Sequence, residues 1–398
     1  MRADRRTIWL LMAAVGTTDA GHGLVFGLLE QIRERDALST AQLGYVSGTL
    51  FAASLVGLLV FSHLADSGGA RTMLLSGLFL GAVSVAWFGL TDSLLQLVAA
   101  RALGGLAMSL TLASGRSVAA RLDPAHAGHH LGLVAASEVT GFIVGPGIGA
   151  VVATHLGLSV PFVGLAVLMA LVGVVLVARL PDLRNPDAPV PSASAGPESH
   201  ATRGWAAQRG FDLLARPSVT AAALLSLAAF VPIGAYDAVW SPYLNDLGAS
   251  ETFVGLSLSM YGIPLALLAG TGGRIVDRFG ATRCATIGLT ATAPIVLAYG
   301  LLRSYWAVAA VAVAEAVVQA IVTPGVQAAM AQAVPPERIG SGQGIAGAFG
   351  LCGAGLMATV APALYQFEGP AVLFAGVAGV VVAVTAMSTF VTRRLRAP

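Results

Sequence analysis

The sequence predicts an all-α membrane protein with twelve transmembrane helices in two pseudo-symmetric six-helix bundles. Three observations predict it. Of 398 residues, 56% are hydrophobic and only 11% charged, and mean hydropathy is +0.80. A soluble domain carries about 25% charged residues, so this chain cannot clothe a water-facing surface and lipid must cover most of it. Apolar runs of helical length recur twelve times. The second half also repeats the first in register, the layout of a transporter made from two copies of one membrane unit.

The runs cover 7–29, 41–64, 72–91, 94–119, 130–154, 159–180, 218–244, 252–272, 283–302, 305–332, 340–366 and 369–391. Each reaches the ~20 residues that cross ~30 Å of hydrocarbon as a helix. The first is too long for a signal-peptide core and reads as a retained span. Trp87, Trp240, Tyr243, Tyr305, Trp306 and Tyr365 fall near the outer ends, where an interfacial belt is expected. The repeat shows in the flank Leu38–Gly48 against Ala249–Ser259, and in Gly44/Gly255, Asp66/Asp277 and Gly69/Gly280, each pair 211 residues apart. Pro124, Gly128 and Gly132 return as Pro336, Gly340 and Gly344. The expected organisation is an N-terminal bundle over 1–180, a cytoplasmic linker over 181–217 and a C-terminal bundle over 218–398. The end of the linker, with Trp205, Phe211 and Leu214, reads either as a surface helix or as flexible chain.

Every basic side chain is Arg; there is no Lys. Arg2, Arg5, Arg6, Arg71, Arg116, Arg121, Arg274, Arg278, Arg283, Arg338, Arg393, Arg394 and Arg396 share one side of this topology with the linker. The positive-inside rule therefore puts both termini and the linker in the cytoplasm. The Arg-, Ala- and Gly-rich composition suggests a GC-rich bacterial source and hence an inner membrane. Cys284 and Cys352 are too far apart to suggest a disulfide or metal site. Gly342–Gly347 spells G-x-G-x-x-G but follows no strand, and His126, His129 and His130 have no acid or Cys to complete a metal site. No Walker loop or nucleophile elbow occurs, so neither ATP drive nor hydrolysis is expected, and no cofactor.

Two loops carry the pattern of a latch. SHLADSGGAR (62–71) and GRIVDRFGATR (273–283) each place an acid, glycines and arginines at a cytoplasmic helix end. There Asp66 or Asp277 can accept from free N–H groups at a neighbouring helix start, while arginines reach carbonyls or lipid phosphate. The alternative is an ordinary charged loop. In helix 5, Gly141, Gly145 and Gly149 share one face and let another helix come close, and Pro146 permits a bend.

These stretches resemble the major facilitator superfamily, whose signature after helix 2 is Gly-x-Leu-Ala-Asp-Arg-x-Gly-Arg-Lys. Leu64, Ala65, Asp66, Gly69 and Arg71 match it, whereas Ser62, Ser67 and Ala70 depart from it. The second copy, with Gly273, Asp277, Arg278, Gly280 and Arg283, is closer. The resemblance implies that both loops gate alternating states. Gly141, Gly145, Pro146 and Gly149 also resemble the helix-5 motif of the drug/proton antiporters in that superfamily, with Ala150 in place of its last Gly; this implies export. Arg101 and Gly105 in helix 4 are similar to an antiporter pair whose Arg is thought to govern protonation of a nearby carboxylate. A structural ion pair is the other reading of Arg101.

Proton coupling needs acids inside the bundle. Asp19 lies twelve residues beyond Thr7, ~18 Å along the helix and close to mid-bilayer, with His22 one turn on. Glu138, Asp237 and Glu315 occupy helices 5, 7 and 10, with Tyr236 and Trp240 beside Asp237 and Gln319 one turn past Glu315. A carboxyl group in a low-dielectric cavity can load and release protons near neutral pH. The expected proton-coupling set is Asp19, His22, Arg101, Glu138, Asp237 and Glu315. Asp19, His22, Phe26, Tyr236, Asp237, Trp240, Tyr261, Glu315 and Gln319 are expected to line the substrate site.

Few mid-span amides exist to serve a hydrated sugar or peptide, and acids outnumber the basic groups an organic anion would want. The expected cargo is amphipathic or cationic. The implied function is proton-coupled efflux; a lipid or lysolipid carrier and a non-transporting receptor or scaffold of the same fold are the alternatives. Expected partners are the small substrate, protons and membrane lipid, with no nucleic acid, and the chain is expected to act as a monomer.

Overall fold

The computed structural model of the chain describes residues 5–38, 40–67, 69–180 and 211–394. Among these, all regular structure is helical. The long helices are α1 (Arg5–Arg35), α2 (Thr40–Phe61), α3 (Ala70–Leu90), α4 (Leu94–Leu122), α5 (Ala127–Leu156), α6 (Val160–Arg179), α7 (Pro217–Asp246), α8 (Glu251–Phe279), α9 (Ala281–Tyr299) and α10 (Tyr305–Ala333). A last helical run, Ile339–Arg394, is broken at Gly369 (φ 83, ψ 176). That left-handed conformation suits glycine, and Pro370 next to it brings no N–H to continue the first arm. The arms 339–368 and 370–394 are α11 and α12, which brings the long helices among the described residues to twelve. Most of linker 181–217, including Trp205, lies outside the described residues; Phe211–Ala215 is a short 3₁₀ turn ahead of α7.

The chain divides into two compact units. The first holds residues 1–123, 137–210 and 336–344, and the second 124–136, 211–335 and 345–398. Each unit therefore takes one short helix start from the opposite half of the sequence. The first unit has a core of Leu28, Ile32, Leu78, Phe88, Leu97 and Phe162. The second is built round Trp240, Tyr243, Leu289, Tyr299 and Phe374.

Small residues set the closest helix approaches, as expected where lipid supplies no hydrophobic contrast. A Cβ on Gly141, Gly145 or Gly149 of α5 would strike Gly16 O, Ala20 O or the Leu24 side chain of α1. In the second unit, one on Gly234 of α7 would strike Ala354 O of α11. The glycine face of α5 is therefore filled by α1 of its own unit, and Pro146 sits against Gly27.

Two of the aromatic residues assigned to an interfacial belt belong to the interior instead. Trp240 and Tyr243 are buried; Trp240 Nε1 donates to Ser257 Oγ at 2.9 Å, and Tyr243 OH donates to Tyr299 O. Trp87 and Trp306 are exposed. The rise along one helix, about 1.5 Å per residue, sets the depth of a ring but not which neighbouring helix it meets.

Candidate functional site: buried acids and two latches

In the first unit, α4 and α5 bring Arg116 to Glu138. The guanidinium donates from Nε to Oε1 at 3.0 Å and from Nη2 to Oε2 at 2.7 Å, a two-point pair. Both side chains are largely enclosed, 11% and 16% exposed. Asp19 of α1 is 5% exposed, interacts electrostatically with both, and its Oδ2 has no hydrogen-bond partner. One permanent cation thus serves two carboxyl groups away from water. Such a set is balanced with one proton on the acids and carries an extra negative charge without it.

In the second unit, Glu315 of α10 is 1% exposed and sits among neutral donors. Tyr236 OH of α7 donates to both oxygens at 3.0 and 3.1 Å. Tyr299 OH of α9 donates to Oε2 at 2.7 Å, and the Gln319 side chain is a further hydrogen-bond partner. Tyr261 of α8 completes the surroundings electrostatically. No cation pairs with Glu315 among the described residues.

The two cytoplasmic loops dock on helix starts. Asp66 accepts from Gly340 N at 2.6 Å and from Ser341 N and Oγ, both at 2.7 Å, at the first turn of α11. Arg121 adds a contact at 3.4 Å. Burial pushes the Asp66 carboxyl above its ordinary range, opposed mainly by the Ser341 hydrogen bonds and then by Arg121 and the Gly340 amide. Asp277 accepts from Gly128 N at 2.7 Å and His129 N at 2.9 Å at the start of α5. The unsatisfied N–H groups and positive end of a helix make each a natural carboxylate seat. Arg71 donates to Val177 O at 2.7 Å; Gly69 caps α3; and Gly280, at φ 93, ends α8 in a conformation other residues rarely adopt. Arg278 lies over the Phe279 ring, and Arg283 is exposed.

With this geometry in hand, comparison with known proteins decides the family. The Major Facilitator Superfamily profile matches residues 7–240 and 222–398, which is both halves of the repeat. The chain belongs to the major facilitator superfamily. It is similar to multidrug resistance protein 1 of Bacillus subtilis, 28% identical over 189 residues, covering 47% of this chain and 48% of that protein. It thus spans about half the length of that relative. Multidrug resistance protein MdtG of Proteus mirabilis is 22% identical over 348 residues, 84% and 83% of the two chains. The solved human organic anion transporter MFSD10 (TETRAN) shares the fold at TM-score 0.76 and 17% identity, covering 96% of this chain and 99% of that one. It is a multi-pass membrane protein of this superfamily.

Several sequence expectations about individual residues change in this superfamily structure. Arg101 has no carboxylate partner among the described residues; it lies over the Phe88 ring at 5.9 Å and lines a small cavity with His22. Arg116, counted among the cytoplasmic charges, turns inward to Glu138 from two turns inside α4. Asp237 is exposed, although Tyr236 and Trp240 pack together beside it with ring centroids 5.5 Å apart. One helical position separates the Tyr236 face, aimed at Glu315, from the Asp237 face. Phe26 is 44% exposed and leans on Phe142. Gly340, Ser341, Gly128 and His129 were missed as latch partners. The signal for them was present, since Pro124–Gly132 and Pro336–Gly344 repeat each other as helix starts.

The latch copy that matches the superfamily signature less well has more donors. On that ground Asp66→Ala should destabilise the protein by on the order of 3 kcal/mol, because it strands buried charge-assisted donors, and Asp277→Ala by about half as much. Thermal unfolding of the purified variants checks the order; a larger loss for Asp277→Ala would contradict it.

Proposed function

We propose that the chain exports amphipathic or cationic organic compounds in exchange for protons, by alternating access, across a bacterial inner membrane with both termini in the cytoplasm. The observation that carries this reading is a proton-capable acid set inside each unit: Asp19 and Glu138 around Arg116, and Glu315 among tyrosines. Buried ionisable groups inside a transporter bundle mark ion or substrate paths. The export direction draws support from the helix-5 motif and from the similarity to bacterial multidrug resistance proteins. In this scheme protons entering from outside neutralise Asp19 or Glu138 and Glu315, and the drop in negative charge releases the cargo. Loss of those protons to the cytoplasm restores the charge, and docking of Asp66 and Asp277 on their helix starts favours one end of the cycle.

Everted vesicles with an acid interior test it. Adding ethidium to vesicles that hold the wild-type protein should produce proton release that control vesicles lack, and Asp19→Asn with Glu315→Gln should abolish it. Full gradient-driven ethidium transport by that double variant would overturn proton coupling through these acids.

A further inference from the structure

Arg101 is 6% exposed. Its Nε is fully enclosed without a hydrogen-bond partner, and no carboxylate lies within ion-pair distance among the described residues. It lines a cavity inside the first unit, between α1, α2, α3, α4 and α6, with Thr18, His22, Ser84, Phe88 and Met108 among the other walls. About 20 Å³ of this cavity is open to the centre of a water-sized sphere, which is room for one water or one small ion. A guanidinium cannot lose its charge as an amine can, and an uncompensated charge in a low-dielectric interior is costly.

The acids nearby do not supply the missing charge. Glu138 is engaged by Arg116, and the electrostatic neighbours of Asp19 are Glu138 and Arg116. The Phe88 ring face offers only a weak attraction. Thr18 and Ser84 have given their hydroxyl protons to Ala14 O and Ala100 O. The remaining polar wall is His22, whose ring packs on Phe51 at 5.7 Å and Phe142 at 5.2 Å. Beyond the cavity wall, Phe142 meets Phe26 at 5.8 Å, and Phe26 and Phe51 are both exposed on the same unit.

We propose that this cavity is a binding site for a small monovalent anionic group, held by Arg101 and His22. The group is either a free halide or the carboxylate of an aromatic compound whose ring lies on Phe51, Phe142 and Phe26. The site rests on the transporter assignment alone and does not need proton coupling. It adds an acceptor for anionic heads to a chain whose acids favour cations, and so extends the expected cargo to zwitterions and aryl carboxylates.

The test is thermal unfolding of the purified full-length protein in lipid nanodiscs at constant ionic strength. Sodium chloride or bromide is titrated against sodium gluconate, and sodium benzoate against benzamide. The expected wild-type result is a saturable rise in unfolding temperature on the order of 2–4 °C with the anion that binds, and none with gluconate or benzamide. Arg101→Gln should lose it, and Arg101→Lys, which keeps the charge but not the fork, should need at least about tenfold more anion. If Arg101→Gln does not fold, the Arg101→Lys titration decides alone. Saturation by chloride without benzoate assigns a free ion; saturation by benzoate at about tenfold lower concentration assigns a substrate head. The proposal is overturned if neither anion shifts the wild type beyond its control, or if the Arg101 variants respond as the wild type does. Because the readout is binding, a failure here leaves proton-coupled export standing, and the reverse also holds.

Discussion

Arg116→Ala should cost the protein on the order of 3–5 kcal/mol, the range for removing one partner of a buried ion pair. The reason lies in the surroundings rather than in the bond itself. Glu138 and Asp19 would keep their carboxyl groups inside the first unit with no cation to share, and each would have to be protonated or hydrated to survive. The double variant Arg116→Ala/Glu138→Ala removes the stranded partner and should recover a large part of the loss. The coupling in the double-mutant cycle should then reach about 2–3 kcal/mol. Denaturant or thermal unfolding of the four proteins in one detergent measures it. Additive losses, with the double variant falling by the sum of the two single ones, would show that the pair contributes nothing beyond packing.

Glu315→Gln should separate transport from its driving force. The side chain keeps its volume, and its carbonyl oxygen can still accept from Tyr236 and Tyr299, so folding should hold. What it loses is the ability to carry a proton. Substrate counterflow, which needs no gradient, should persist, while accumulation driven by a pH gradient should fall by roughly 10–100-fold, the span of ordinary coupling energies. Tyr299→Phe removes one donor at 2.7 Å and should give an intermediate loss. Proteoliposomes assayed in both modes make the distinction; equal losses in both would indicate damaged folding or substrate binding rather than uncoupling.

The twelve spans, the internal repeat and the two docking acids were legible because each is written locally. Span length follows from bilayer thickness, and the acid loops keep their spacing in both copies. Membership of the superfamily likewise rested on short contiguous motifs at Leu64–Arg71 and Gly141–Gly149, and the profile match over both halves agrees with it. Latch partners were half legible. The repeated helix starts at Gly128 and Gly340 are visible as a pattern, yet nothing in the pattern says which acid each one seats.

By itself, then, the sequence determined that this chain is built from helices long and apolar enough to cross a membrane, and that both of its halves carry the pattern of one family. Only the tertiary structure decided the partners. It gave Glu138 an arginine, gave Glu315 two tyrosines, left Arg101 beside a cavity, and left Asp237 exposed. Depth follows from position along one helix, at 1.5 Å per residue. Charge partnership depends on how each helix is rotated against neighbours distant in sequence, and a rotation of one residue, 100°, exchanges a buried face for an exposed one.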